Sequence, residues 1–126
     1  KPEDIAKLLM QELRYEKREI VKVVLLNIAN KIVKMVDIAI GSSNYSLVNI
    51  RDILSEAIKI NVPKIILIHN HPSGEVKPSK EDIELTKRLI EASELMGIEL
   101  LDHIIIGDMK YTSILSEVVE KMQETI

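Results

Sequence analysis

Apolar residues recur at helical spacing in several stretches of the chain. A period of three to four residues predicts amphipathic helices over about residues 2–15, 49–60 and 79–96, and a last helix that runs to the chain end. Asn49 is suited to cap the second helix, because its side-chain oxygen can accept a hydrogen bond from a terminal backbone N–H group. Gly97 is suited to end the third, since glycine tolerates the left-handed backbone found at helix termini.

Between these stretches the apolar residues form continuous runs rich in Ile, Val and Leu. Such runs are typical of buried strands and predict strands over about residues 20–28, 32–40, 64–68, 101–107 and 111–115. The resulting order is helix, strand, strand, helix, strand, helix, strand, strand, helix. This alternation predicts an α/β fold in which a mixed β-sheet is flanked by helices on both faces, in three layers.

Composition restricts the chemistry that such a fold can perform. The length of 126 residues fits a single domain over residues 1–126. The chain has no cysteine, so any transition metal must be held by His and carboxylates. Aromatic residues make up 2% and the net charge is -3, so neither base-stacking platforms nor strong attraction to phosphates is expected. No apolar run could span a membrane and no secretion signal is visible, so we expect a cytoplasmic protein without membrane association.

Two of the three histidines lie one residue apart at the carboxyl end of a predicted strand. In extended backbone His69 and His71 project from the same face, so their rings can converge on one metal ion. The loop after them lets the chain fold back, and Ser79 and Asp82 then lie at the start of the next helix. Asp82 can supply a third ligand, which leaves a fourth position open for water. Asn70 points away from the rings and is expected to hold the loop.

Each of these features alone also has a purely structural explanation. A His-x-His pair arises by chance in turns, and Ser79 with Asp82 matches a helix capping pair. The joint occurrence of two histidines after a strand, a Ser and an Asp favours a metal site. We expect one Zn²⁺ per chain, while a set of two histidines and one carboxylate also suits iron(II).

The spacing His-x-His, seven residues, Ser, two residues, Asp resembles the JAMM (MPN+) metalloprotease motif. The runs His-Asn-His-Pro-Ser-Gly at 69–74, Arg-Asp-Ile at 51–53 and Leu-Asp-His-Ile-Ile-Ile-Gly at 101–107 resemble in particular the RadC family, over about residues 17–117. The resemblance implies a fold like that of JAMM proteins and cytidine deaminases. It also implies a preceding helix-hairpin-helix region, which we expect to be missing here. A zinc deaminase itself needs cysteine ligands and is excluded.

The resemblance further implies a hydrolase that cuts peptide or isopeptide amide bonds with metal-activated water. His69, His71 and Asp82 are the metal ligands that it implies. Glu19 matches the position of the family's upstream Glu and would act as general base. Ser79 would orient the water or donate to the developing oxyanion. Two further acids, Glu16 and Glu12, are alternatives for the base.

The alternative function is a DNA-repair-associated or protein-interaction module with a structural metal. The RadC name is associated with DNA repair, but no Gly-rich phosphate loop or basic stripe supports binding to DNA. Three evident ligands rather than four favour catalysis. The expected partner is an unidentified peptide or protein substrate, and a homo-oligomer is left open. His103, after Asp102, is expected to be structural or to contact a ligand, and not to bind the metal.

Overall fold

The computed structural model of the protein describes residues 2–14, 16–41 and 48–124. The helices and strands in chain order are α1 (Pro2–Leu13), β1 (Glu19–Leu26), β2 (Ile32–Gly41), α2 (Ile50–Lys59), β3 (Lys64–Asn70), α3 (Lys80–Leu95), β4 (Glu99–Ile106), β5 (Tyr111–Ser113) and α4 (Leu115–Glu124). Each predicted helix and strand is present, and the predicted α/β class is confirmed. Asn49 caps α2 by accepting from the Arg51 backbone N–H at 2.9 Å.

Several strand boundaries differ from the prediction: β1 and β5 end two residues earlier, at Leu26 and Ser113. The end of β3 and the start of β4 extend beyond the apolar runs because neighbouring backbone pairs with them. β3 continues to Asn70, which pairs with Ile106 of β4, so His69 lies within the strand. β4 begins at Glu99, whose backbone N–H donates to Pro63 O at 2.8 Å. Polar residues at both strand ends are therefore held by backbone pairing that hydrophobicity does not reveal.

The five strands form one mixed sheet in the order β2-β1-β3-β4-β5. β1 is antiparallel to β2 and β3, β3 is parallel to β4, and β5 is antiparallel to β4. The helix α2 therefore connects two strands of the same direction with β1 between them. The helix α3 connects the adjacent parallel strands β3 and β4, so its first turn returns to the edge where β3 ends.

Helices cover both faces of the sheet, as the alternation of elements predicted. On one face α1 packs against alternate residues of β1, β3 and β4, including Ile66, Ile68 and Ile104. On the other face α2 and α3 pack against Val23, Ile65 and Leu67, among others. Burial on both faces explains the nearly continuous apolar runs of the central strands. In the described part of the chain, no helix has both the length and the apolar character needed to cross a membrane.

The loop after β3 lies directly against the end of β4. His71 N donates to Ile106 O at 2.9 Å, and Asp108 N donates to Gly74 O at 3.0 Å. Gly74 adopts a positive φ of 87°, which favours glycine. Gly107 is required for a different reason, since a Cβ there would overlap the carbonyl oxygen of Gly74. This close approach fixes the loop that carries His71.

Candidate metal centre

The two histidines of the His-x-His pair converge at the end of β3. His69 lies on the last part of the strand and is fully buried, and His71 follows it at the start of the loop. Their Nε2 atoms lie 3.1 Å apart. The Nδ1 atom of His71 lies 3.1 Å from the Glu75 backbone oxygen. A carbonyl oxygen can only accept, so this contact places the proton of a neutral His71 on Nδ1 and directs Nε2 toward His69.

Asp82 joins this pair from the first turn of α3. Ser79 Oγ accepts from Asp82 N at 3.0 Å, and the Asp82 carboxylate accepts from Ser79 N at 2.7 Å. This reciprocal capping box locks the orientation of the carboxylate. Its Oδ1 lies 3.1 Å from His69 Nε2 and its Oδ2 lies 3.1 Å from His71 Nε2. The helix cap and the convergent site are therefore the same structure, rather than competing explanations.

The three side chains have the donor set and spacing of metal ligands. Neighbouring ligands of a tetrahedral zinc ion lie about 3.3 Å apart, given ligand distances near 2 Å. The separations of 3.1 Å between ring nitrogens and carboxylate oxygens match this value. Asp82 is fully buried, and its Oδ1 accepts no hydrogen bond from any residue that the structure describes. Burying a charged oxygen without a partner is costly, and a bound cation would supply the missing interaction.

The ionisation of the site also favours a cation. Burial raises the pKa of the Asp82 carboxyl, but the adjoining His69 and His71 rings and the Ser79 backbone lower it more, so its pKa lies well below the usual range. The hydrogen bond with Asp82 in turn raises the pKa of His71. The site thus holds a permanent negative charge, which a proton or a metal ion can balance.

Glu19 lies beside the two imidazoles, as the family resemblance implies for the general base. Single ligand atoms of Glu19, His69 and His71 all lie within 4.8 Å of one another. Glu19 opens β1 and is 6% exposed. The two alternative acids have other partners: Glu16 lies 3.0 Å from Arg18 and lines a separate cavity beside His71, and Glu12 lies 3.8 Å from Lys22. Of these three acids, Glu19 is the one that forms a compact group with both histidines.

Asn70 holds the start of β1 rather than the loop, which corrects the expectation from sequence. Its Oδ1 accepts from Ile20 N at 2.7 Å, and its Nδ2 donates to Arg18 O at 3.0 Å. These two peptide groups flank Glu19. The reason is the pairing of β1 with β3, which places the start of β1 beside the end of β3. The residue between the two histidines therefore positions the acid that faces them.

An open cleft of about 610 Å³ lies over the centre. Its lining includes Glu19, His71, Ser79 and Gly41, together with Lys17, Pro72, Ser73 and Glu81. The hydrogen bond that Ser79 Oγ accepts from Asp82 N does not use the hydroxyl proton. That proton can donate to a group in the cleft. The site therefore has buried candidate ligands on one side and an open cleft on the other.

Two buried polar residues lie behind the centre: His103, for which the sequence predicts a structural or ligand-contacting role, and Thr86, for which it predicts none. His103 Nε2 lies 2.9 Å from His69 Nδ1, and burial lowers the pKa of His103. Thr86 Oγ1 donates to Asp82 O at 2.8 Å and contacts His103 Nδ1. Thr86 follows Asp82 by four positions, so helical spacing was a signal for its place behind the site. Asp102 accepts from His103 N and Ser113 Oγ and faces away from the centre.

Comparison with known proteins gives one family. The sequence model described as RadC-like JAB domain matches residues 1–120. A UPF0758 protein of Caldanaerobacter subterraneus subsp. tengcongensis is 53% identical over 107 residues, covering 85% of this chain and 46% of that protein. A UPF0758 protein of Clostridium tetani is 53% identical over 113 residues, covering 90% of this chain and 50% of that protein. A UPF0758 protein of Clostridioides difficile is 52% identical over 112 residues, covering 89% of this chain and 48% of that protein. The chain spans about half the length of these curated relatives.

Proposed function

The chain belongs to the family of RadC-like JAB domains, and from this premise we propose that it is a zinc-dependent hydrolase of peptide or isopeptide bonds. JAB domains include metalloproteases of the JAMM type, and this chain has the residues of that motif. The observation that carries the proposal is the buried Asp82 carboxylate, which faces two imidazole nitrogens at 3.1 Å beneath an open cleft.

In this proposal His69, His71 and Asp82 hold the ion. All three come from the end of β3 and the start of α3, where backbone pairing and a capping box restrict their motion. Such restriction keeps the ligands in place before the ion binds. When bound, zinc supplies a Lewis acid that makes water nucleophilic at neutral pH and polarises a carbonyl oxygen.

The remaining residues of the cleft handle protons and orientation. Glu19 accepts a proton from the attacking water and passes it to the leaving amine, which is the sequence that amide hydrolysis requires. Asn70 holds both peptide groups beside Glu19, so the carboxylate stays directed at the histidines. Ser79 donates its hydroxyl proton to the carbonyl oxygen as negative charge develops. A single donor of this kind contributes roughly 3 kcal/mol in other hydrolases.

A structural metal site is the second candidate, and one observation favours it. Glu19 lies close enough to His69 and His71 to form a ligand group with them. If Glu19 bound the ion together with Asp82, four protein ligands would close the site, as in structural zinc centres. The cleft favours the hydrolase, because a closed structural site has no need of access for a substrate.

Glu19→Gln separates the two candidates, because Gln is a poor ligand and cannot act as a base. We expect Glu19→Gln to retain about one zinc per chain by mass spectrometry, whereas His71→Ala and Asp82→Asn lose it. Asp82→Asn keeps an oxygen that can accept from Ser79 N, so the helix cap is preserved. Fluorogenic peptides with a lysine ε-amide bond would be cut by the zinc-loaded wild type and not by Glu19→Gln. Loss of zinc from Glu19→Gln would establish the structural site instead, and full turnover by this variant would show that Glu19 is not the base.

Iron(II) is distinguished in the same experiment, because mass spectrometry of protein purified without chelators identifies the metal present. A cytoplasmic location stays a prediction from the sequence, whereas DNA binding is suggested by the family association alone and self-association is an open alternative.

A further inference from the structure

His69 is hydrogen-bonded by another histidine on the side away from the cleft. His69 Nδ1 lies 2.9 Å from His103 Nε2, and both side chains are fully buried. Between two neutral imidazoles one nitrogen must donate and the other must accept. The tautomer of His103 therefore decides the tautomer of His69. This differs from His71, whose Nδ1 faces a backbone oxygen that can only accept.

Thr86 sets the direction of this hydrogen bond. Its Oγ1 donates to the Asp82 backbone oxygen at 2.8 Å and lies 2.5 Å from His103 Nδ1. A hydroxyl has a single proton. Because that proton is directed to Asp82 O, Thr86 Oγ1 can only accept from His103. His103 then carries its proton on Nδ1, and its Nε2 accepts from His69 Nδ1.

The result is that His69 Nε2 carries no proton and directs its lone pair toward His71 and Asp82. In the opposite arrangement Thr86 would donate to His103, and His69 would carry its proton on Nε2. The hydrogen bond from Thr86 Oγ1 to Asp82 O uses the only hydroxyl proton and favours the first arrangement.

We infer that Thr86 and His103 are positioning residues that hold His69 in the tautomer able to bind a metal ion. The inference rests on the proposed metal centre and adds to it the reason why His69 is ready to bind. Thr86 also lies on the same helix as Asp82 and contacts its backbone. One hydroxyl thus connects the helix of the carboxylate ligand to the ring behind the histidine ligand. Partners of this kind change metal affinity by about 10–100-fold in other metal sites.

Two measurements test this inference. Long-range ¹H–¹⁵N correlation spectra of the zinc-free protein report which nitrogen of His69 carries the proton, and we expect Nδ1. Zinc affinity is then measured with the metal alone, in competition with a chromophoric chelator. Thr86→Val keeps the shape of the side chain but removes the hydroxyl, and we expect the zinc dissociation constant to rise about tenfold. His103→Leu removes the acceptor and should raise it by about 10–100-fold.

Matched variants separate positioning from packing. Thr86→Ser keeps the hydroxyl, and His103→Gln places an acceptor near the position of Nε2, so both should restore most of the zinc affinity. A proton on Nε2 of His69 in the wild type would overturn the inference. So would zinc affinities of Thr86→Val and His103→Leu within about twofold of the wild type. If the wild type binds no zinc, the proposed function fails, and the spectra alone decide the tautomer.

Discussion

Replacing Gly107 by Ala tests whether the close approach between the β3 loop and β4 maintains the metal centre. A Cβ at position 107 would overlap the carbonyl oxygen of Gly74 and would lie 2.8 Å from its carbonyl carbon and 2.9 Å from Val76 Cγ1. Two of these three atoms belong to backbone, so a side-chain rotation cannot relieve the overlap. The loop must move away from β4, and it carries His71, whose own N–H is bonded to Ile106 O.

The magnitude follows from the contacts that must change. Overpacking of a well-packed site costs about 1–3 kcal/mol. Loss of the hydrogen bond from Asp108 N to Gly74 O adds about 1 kcal/mol. At roughly 4 °C per kcal/mol for a domain of this size, the melting temperature should fall by about 8–16 °C. A displaced His71 should weaken zinc binding about tenfold, equivalent to about 1.4 kcal/mol.

Thermal unfolding and chelator competition measure the two effects, with Gly97→Ala as the matched control. Gly97 has a φ of 71°, and a Cβ at this position would have no neighbouring atom within 4 Å. Alanine there should therefore lower the free energy of unfolding only by the cost of a left-handed backbone, about 1–2 kcal/mol. Gly97 ends α3, far along the chain from the ligands, so zinc affinity should not change. Equal zinc affinities of Gly107→Ala and Gly97→Ala would refute the idea that this contact positions His71.

Two further predictions concern Asn70 and the protonation of the site. Asn70→Ala removes the two hydrogen bonds by which Asn70 clamps Ile20 N and Arg18 O. It should lower the free energy of unfolding by about 1–3 kcal/mol and accelerate hydrogen exchange of the Ile20 amide. Unchanged exchange would contradict this role of Asn70. The hydrogen bond with Asp82 raises the pKa of His71 above its ordinary value of 6.5. In zinc-free protein the protonated His71 therefore stabilises the fold fully below pH 6.5. This stabilisation is lost as the pH rises through the raised pKa. Melting curves between about pH 5 and 9 check this, and zinc affinity should fall as pH drops through the same range, because the ion displaces that proton.

Much of the candidate centre could be predicted from sequence because its proposed ligands belong to consecutive elements. His69 and His71 are fixed by strand alternation, and Asp82 by its place in the first turn of α3. Each of these positions depends on local geometry that short-range patterns report. The predicted helices and strands were present for the same reason, since each has its own apolar pattern.

The remaining parts of the site depend on which strands become neighbours. Asn70 contacts Ile20 only because β1 lies beside β3, and His103 contacts His69 only because β4 lies on the other side. Alternating helices and strands predict a mixed sheet but not the order of its strands. The sequence therefore predicts a role for Asn70 in its own loop, where its sequence neighbours lie. It predicts no role for Thr86, because the histidine that Thr86 contacts lies on β4, outside its helix.

The centre also combines contacts of very different range along the chain, which bears on the order in which it forms. His71 and Asp82 are separated by 11 positions, whereas the Asn70 clamp joins residues 50 positions apart. Closing the longer loop costs about 1.3 kcal/mol more in chain entropy. During folding the segment from His69 to Asp82 can thus close before β1 brings in Glu19. With the proposed ligand set, a partly folded chain would retain zinc but lack the acid, and metal content alone would overestimate the fraction of native protein.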